Sequence, residues 1–168
     1  MYQIKHDILV TLLATVCGAG VEIMMCYLWA NDYSWMRYNP DLNPFSFQYL
    51  FVAAFIIYWR APHFHIMHRA MHPWRTKVIP DFGRVLYRHV HSLHHKSHNP
   101  TAFSGTNMHP VEATLYYTAA FVPALWGGCH PIIGLTAIID CAMGAWLSHD
   151  GFQWPGSGDY YHMLHHRK

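Results

Sequence analysis

Four apolar runs divide the chain, and polar residues gather between the second and third runs and after the fourth. The first, Ile8 to Ala30, has 23 residues with Glu22 as its only charge, enough to cross a bilayer as one helix. The second, Phe45 to Trp59, has 15 residues and continues into a histidine-rich stretch. The third is Ala113 to Trp126, and the fourth is Pro131 to Ser148 with Asp140 inside it. Gly127, Gly128 and Pro131 predict a tight turn that makes a helical hairpin of the last two. Each of the last three runs is shorter than the roughly 20 residues a spanning helix prefers.

Composition changes the picture in one direction. The 168 residues fit a single domain, residues 1–168, and are 52% apolar, 16% aromatic and 12% charged. That charged share is about half of a soluble domain's, and such a chain must bury apolar surface, which excludes disorder. A formal charge of +2 gives no broad basic surface for nucleic acid. If all four runs cross, one side holds Lys5, Arg60, Arg69, Arg75, Lys77, Arg84, Arg88, Lys96, Arg167 and Lys168, and the other holds Arg37 alone. This asymmetry favours a cytosolic polar face and stands against the rival, a soluble bundle of buried helices. Trp29, Tyr33, Trp35, Tyr58, Trp59 and Trp126 fall near run ends, as interfacial aromatics do. The expected fold is an all-α integral membrane protein: four transmembrane helices beneath a cytosolic histidine-rich helical cap. Met1 to Asp7 lacks a cleavage site, so the first run reads as a retained anchor. Cys17, Cys26, Cys129 and Cys141 form no CxxC pair and read as small buried hydrophobes.

The candidate chemistry is histidine. There are 16, more than all Lys and Arg together. His68 and His72 form HxxxH, which on a helix places both rings on one face. His91, His94 and His95 form HxxHH, whose positions i, i+3 and i+4 again share a helix face, and His162, His165 and His166 repeat it, which makes three same-face clusters. Pro62 and Pro73 bracket the first motif, predicting a short helical extension beyond the second run. Neutral imidazole is the commonest metal ligand, suited to Zn, Cu, Fe or Ni. Eight clustered imidazoles exceed one ion's needs, so the expectation is a di-metal centre. No Asp or Glu lies inside the motifs, which excludes a carboxylate-bridged di-iron bundle or an HExxH zinc site.

Other polar residues receive structural readings. His109 and His130 each precede a proline that opens an apolar helix, and His6 reads as surface. His63, His65, His89 and His98 lie outside the motifs. Glu22 and Asp140 sit within apolar runs, where buried, neutral, hydrogen-bonded acids are expected. Glu112 and Asp150 are candidates to fix imidazole tautomers, and Ser92 and Ser97 have no evident role.

The order HxxxH, HxxHH, HxxHH over residues 45–166 resembles the fatty acid hydroxylase and sterol desaturase superfamily of membrane non-haem di-iron enzymes. Finer marks are His68-Arg69, then Asn99-Pro100-Thr101, His109-Pro110-Val111-Glu112 and His149-Asp150-Gly151, which look most like the C-5 sterol desaturase branch. The resemblance implies two Fe ions, with zinc as a mismetallated form, O2, and electrons relayed from NAD(P)H through a cytochrome b5-type donor. It implies ligands at His68, His72, His91, His94, His95, His162, His165 and His166, with His149 at a further metal-proximal position. No catalytic residue beyond the metal centre and no organic cofactor is implied. The implied activity is lipid desaturation or hydroxylation, a sterol first and a fatty-acyl or sphingoid base as the alternative, in the endoplasmic reticulum of a eukaryote. A histidine-rich membrane metal carrier is the rival of another class; it predicts polar groups lining the spans, where only Glu22 and Asp140 qualify. Family members continue past the last HxxHH with an Asn-Tyr-Gly stretch and a Trp-Asp pair, so the chain reads as C-terminally incomplete.

Overall fold

The computed structural model describes residues 2–33, 39–43, 45–122, 130–153 and 159–167. All secondary structure among them is helical. The helices are α1 (Tyr2–Ala30), α2 (Phe47–Met71), α3 (Phe82–His89), α4 (Pro110–Tyr117), α5 (Pro131–Leu147) and α6 (Asp159–His166). Short 3₁₀ turns cover His91–Lys96, Ala102–Ser104 and Thr118–Phe121.

Beyond its first turns α1 is apolar nearly all round, so past Asp7 and Thr11 its packing face is set by size and not by polarity. Asp7, Thr11, Ala14, Gly18, Val21 and Met25, spaced four and three apart, form its buried stripe. That stripe packs chiefly along α4. Small residues let the backbones approach: a side chain on Gly18 would press into the Tyr117 ring. Leu9, Leu12, Val16, Ile23 and Tyr27 occupy the opposite, exposed face. Among the described helices, α1 alone meets the length and hydropathy expected of a membrane span, with a mean hydropathy of 2.1 over its apolar window. Helix α5 carries a single charged residue, Asp140, but has only 17 residues.

The core joins α1 to Met108, Ala113, Tyr116, Tyr117 and Ala120 around α4 and to Ile133, Ala137, Cys141 and Ala145 of α5. Tyr116 Oη donates to the Cys141 carbonyl at 2.6 Å, fixing α4 on α5. Helix α2 joins α5 through Arg60 Nε, which donates to Asp140 Oδ2 at 2.8 Å.

Several expectations are corrected. The second run and its extension form one helix, with Pro62 inside α2; the break falls at His72, because a residue preceding proline is driven out of the helical region. The third run does not hold one α-helix, passing into a 3₁₀ turn after Tyr117. Asp140 is ion-paired with Arg60 and not a lone neutral acid. Cys26 is exposed, on the outer side of an α1 whose buried stripe passes through Val21 and Met25. His6 is half-buried beside Asp7, at 3.4 Å. Trp35, Arg37, Trp126, the Gly127–Gly128 turn, Cys129 and Lys168 lie outside the described residues.

Candidate metal centre

Nine imidazoles meet where the end of α2, the His91–Lys96 turn, the end of α5 and α6 converge. They fall into two groups. His68, His72, His91, His95 and His165 form one; His94, His149, His162 and His166 form the other. Within each, the candidate ligand atoms lie within 4.8 Å of one another. These are the nine histidines singled out from the sequence, His149 included.

The sorting between groups differs from three same-face clusters. In each HxxHH the outer pair stays together, His91 with His95 and His162 with His166, while the middle histidine crosses to the other group. Adjacent helical residues point about 100° apart, so His165 and His166 cannot converge on one point. His94 and His95 diverge for the same reason in the tighter 3₁₀ turn. Each HxxHH therefore ties the two groups into one unit.

The nitrogens that face one another are Nε2. In the first group His68 lies 2.9 Å from His165 and 3.2 Å from His72. His91 lies 3.1 Å from both His72 and His95. In the second, His149 is 3.0 Å from His162 and 3.2 Å from His166. A neutral ring carries one proton, so only some of these contacts can be hydrogen bonds. His91 Nδ1 donates to Glu112 Oε1 at 2.7 Å, His94 Nδ1 to the Asn107 carbonyl at 3.1 Å, and His149 Nδ1 to the Ala145 carbonyl at 2.8 Å. Each of those acceptors takes the ring's one proton, so the neutral ring turns a lone pair inward. His94 Nε2 is buried with no hydrogen-bond partner among the described residues. Nitrogens about 2.0–2.1 Å from one shared cation would sit about 2.9–3.4 Å apart, so the spacing fits two metal sites.

Burial, followed by the neighbouring imidazoles, pushes His72 down to about 4, His162 to about 3 and His95 to about 2. The same causes depress His68, His94 and His166. At neutral pH these rings are therefore uncharged and able to ligate.

The remaining histidines stay apart from both groups. His109 and His130 cap α4 and α5, their Nδ1 accepting from Val111 N and Ile132 N at 3.2 Å. His63 Nε2 meets Thr118 Oγ1 at 3.3 Å, and His89 and His98 are exposed. His65 lines an open pocket of about 610 Å³ that reaches His68, His72, His162 and His165. Phe64, Trp74 and Tyr161 give that pocket apolar walls, and Arg69 and Arg75 also line it. Glu112 takes its expected part at His91, whereas Asp150 Oδ1 accepts from Phe152 N in the turn after α5. Asp7 is the polar residue the sequence did not single out: it is fully buried and bonded to Ser97, Ser104 and Asn107.

Comparison with known proteins bears on the same residues. The model of the family described as fatty acid hydroxylase matches residues 46–168. A very-long-chain aldehyde decarbonylase of Oryza sativa subsp. japonica is 26% identical over 157 residues, covering 88% of this chain and 56% of the relative. Sphinganine C4-monooxygenase 1 of Arabidopsis thaliana is 30% identical over 179 residues, covering 98% of this chain and 58% of the relative. The chain thus spans little more than half the length of these curated relatives. No solved structure matches it significantly.

Proposed function

This chain belongs to the fatty acid hydroxylase family, and from that premise we propose that it oxidises a membrane lipid with O2 at two iron ions held by His68, His72, His91, His95 and His165 and by His94, His149, His162 and His166. The carrying observation is the convergence of nine imidazoles as two groups with their Nε2 atoms inward. Bound iron supplies the O2 activation that an unactivated C–H bond requires.

The chain's own residues do the rest. Glu112, the Asn107 carbonyl and the Ala145 carbonyl hold three rings in the tautomer that turns the Nε2 lone pair toward the neighbouring imidazoles. The pocket beside His68 and His165 admits the substrate, with Phe64, Trp74 and Tyr161 against its apolar part.

Hydroxylation of a fatty-acyl or sphingoid chain is the leading reading, supported by the likeness to a sphinganine C4-monooxygenase over nearly the whole chain. The His109-Pro110-Val111-Glu112 and His149-Asp150-Gly151 pieces favour a second reading, C-5-type sterol desaturation. In either case the four apolar runs lie in a membrane, that of the endoplasmic reticulum in a eukaryote, with the histidines on the cytosolic side. Electrons come from a cytochrome b5-type donor fed by NAD(P)H. The test pairs metal analysis of protein purified anaerobically in detergent with lipid and sterol profiling of cells expressing it. About two metal ions per chain and one new oxidised lipid are expected; one tightly held zinc, or none, overturns the di-iron reading.

A further inference from the structure

Asp7 lies in the first turns of α1, outside residues 46–168 that carry the family match, and its side chain has no exposed surface. Its carboxylate is the hub of a buried polar network. Oδ1 accepts from Ser97 Oγ at 2.8 Å and from Asn107 Nδ2 at 2.8 Å. Oδ2 accepts from Ser104 Oγ at 3.0 Å and, more distantly, from Gln3 Nε2 at 3.4 Å. Asn107 Nδ2 also donates to Ser97 Oγ at 2.7 Å, closing a triangle. Ser97, Ser104 and Asn107 are themselves fully buried.

The network grips both supports of one imidazole. The Asn107 carbonyl accepts from His94 Nδ1 at 3.1 Å, and the Ser97 amide donates to the His94 carbonyl at 3.3 Å. His94 is fully buried, and its Nε2 has no hydrogen-bond partner among the described residues. Its neighbour His91 is held differently, by Glu112 at 2.7 Å, and belongs to the other group. An acceptor-only group ringed by donors is directional and costly to leave half-satisfied, so its loss displaces the segment it organises.

We infer that Asp7 is a positioning residue for the second metal site: through Ser97 and Asn107 it fixes the ring of His94. The first helix thereby sets the geometry of one ion and not the other. The inference rests on the di-metal reading above, and the test separates the two.

Full-length protein in detergent, stripped of metal, is titrated with Co2+ while its ligand-field absorption, thermal midpoint and size-exclusion profile are followed. Wild type is expected to take up about two Co2+. Asp7→Ala is expected to keep one and to bind the other 10–100-fold more weakly, the loss typical when a ligand's supporting hydrogen bond is removed. His149→Ala, which removes a nitrogen of the second group, provides the spectrum of the first ion alone, and Asp7→Ala should match it at low Co2+. Glu112→Gln should weaken the other ion and give a different residual spectrum. Should Asp7→Ala fail to fold, Asn107→Ala takes its place, since it keeps the carbonyl that His94 uses and removes only the anchor. Two ions bound by the variant as tightly as by wild type, or both weakened alike, overturns the positioning role. Wild type binding fewer than two ions overturns the di-metal reading itself, and the inference with it.

Discussion

At the scale of single residues, eight of the histidines were legible from their spacing and His149 only from the family resemblance; the division of the nine into five and four was not legible. A helical reading of HxxHH treats all three rings as one face, whereas a shared ion needs convergence at one point. Adjacent positions diverge too far for that. Asp7 was illegible for another reason: in sequence it reads as the polar flank of an apolar run, and its partners lie 90 to 100 residues away. His149 has a lone place in the sequence, but its Nε2 stands 3.0 Å from that of His162. His149→Ala should therefore abolish turnover and remove one of two bound ions while the protein remains inserted and expressed. More than roughly half of wild-type activity, with both ions retained, would reduce His149 to a cap at the end of α5. The depressed imidazoles make a second prediction. His72 and His162 are held to about 4 and about 3 against 6.5 in an unfolded chain. As pH falls below 6.5 the unfolded state takes up protons that the folded state refuses, so stability present above 6.5 is lost toward those lower values. Thermal midpoints of metal-free protein should drop between pH 8 and pH 5. Equal midpoints would show that these rings are solvated in the metal-free state.

At the scale of elements, helix starts were well marked and helix faces were not. Pro110 and Pro131 open α4 and α5 with His109 and His130 as caps, as the His-Pro pairs suggest. The packing stripe of α1 was hidden because the opposite face is just as apolar, so no amphipathic contrast marks it. Two close approaches show how the elements hold the site. A Cβ on Gly105 would collide with the Ala145 carbonyl, the same atom that accepts from His149 Nδ1. A Cβ on Gly83 would collide with the His72 carbonyl and the Trp74 ring. Backbone cannot yield as a flexible side chain does. Gly105→Ala and Gly83→Ala should each cost about 1–3 kcal/mol, the usual range for overpacking. Metal binding should loosen at the second group for Gly105→Ala and at the first for Gly83→Ala. Gly20, with open space around its Cα, is the control: Gly20→Ala should be neutral or slightly stabilising in the same melts. Wild-type midpoints for Gly105→Ala and Gly83→Ala would show that the surrounding backbone gives way freely.

At the scale of the whole molecule, the orientation of α1 follows from its two ends. Asp7 is bonded to Ser97 and Asn107, so the N-terminal end lies beside the histidine groups. Ala30 then lies about 35 Å further along the helix axis, farther than the roughly 30 Å of hydrocarbon in a bilayer. The exposed Leu9, Leu12, Val16, Ile23 and Tyr27 give that length an apolar face suited to lipid. If α1 crosses the membrane, Lys96 and the Asn31–Asp32 turn sit on opposite sides. By the positive-inside rule the side that carries Lys96 would then be the cytosolic one. Single cysteines at these positions, in a background with the four native cysteines replaced, should therefore react differently with a membrane-impermeant maleimide. In sealed vesicles with the extra-cytosolic face outward, Asp32→Cys should label and Lys96→Cys should label only after permeabilisation; in sealed vesicles with the cytosolic face outward, as microsomes of the endoplasmic reticulum have it, the order should reverse. Both labelling from the same side would mean that α1 lies along the surface or within a bundle, and the exposed apolar face would then have to be covered by protein.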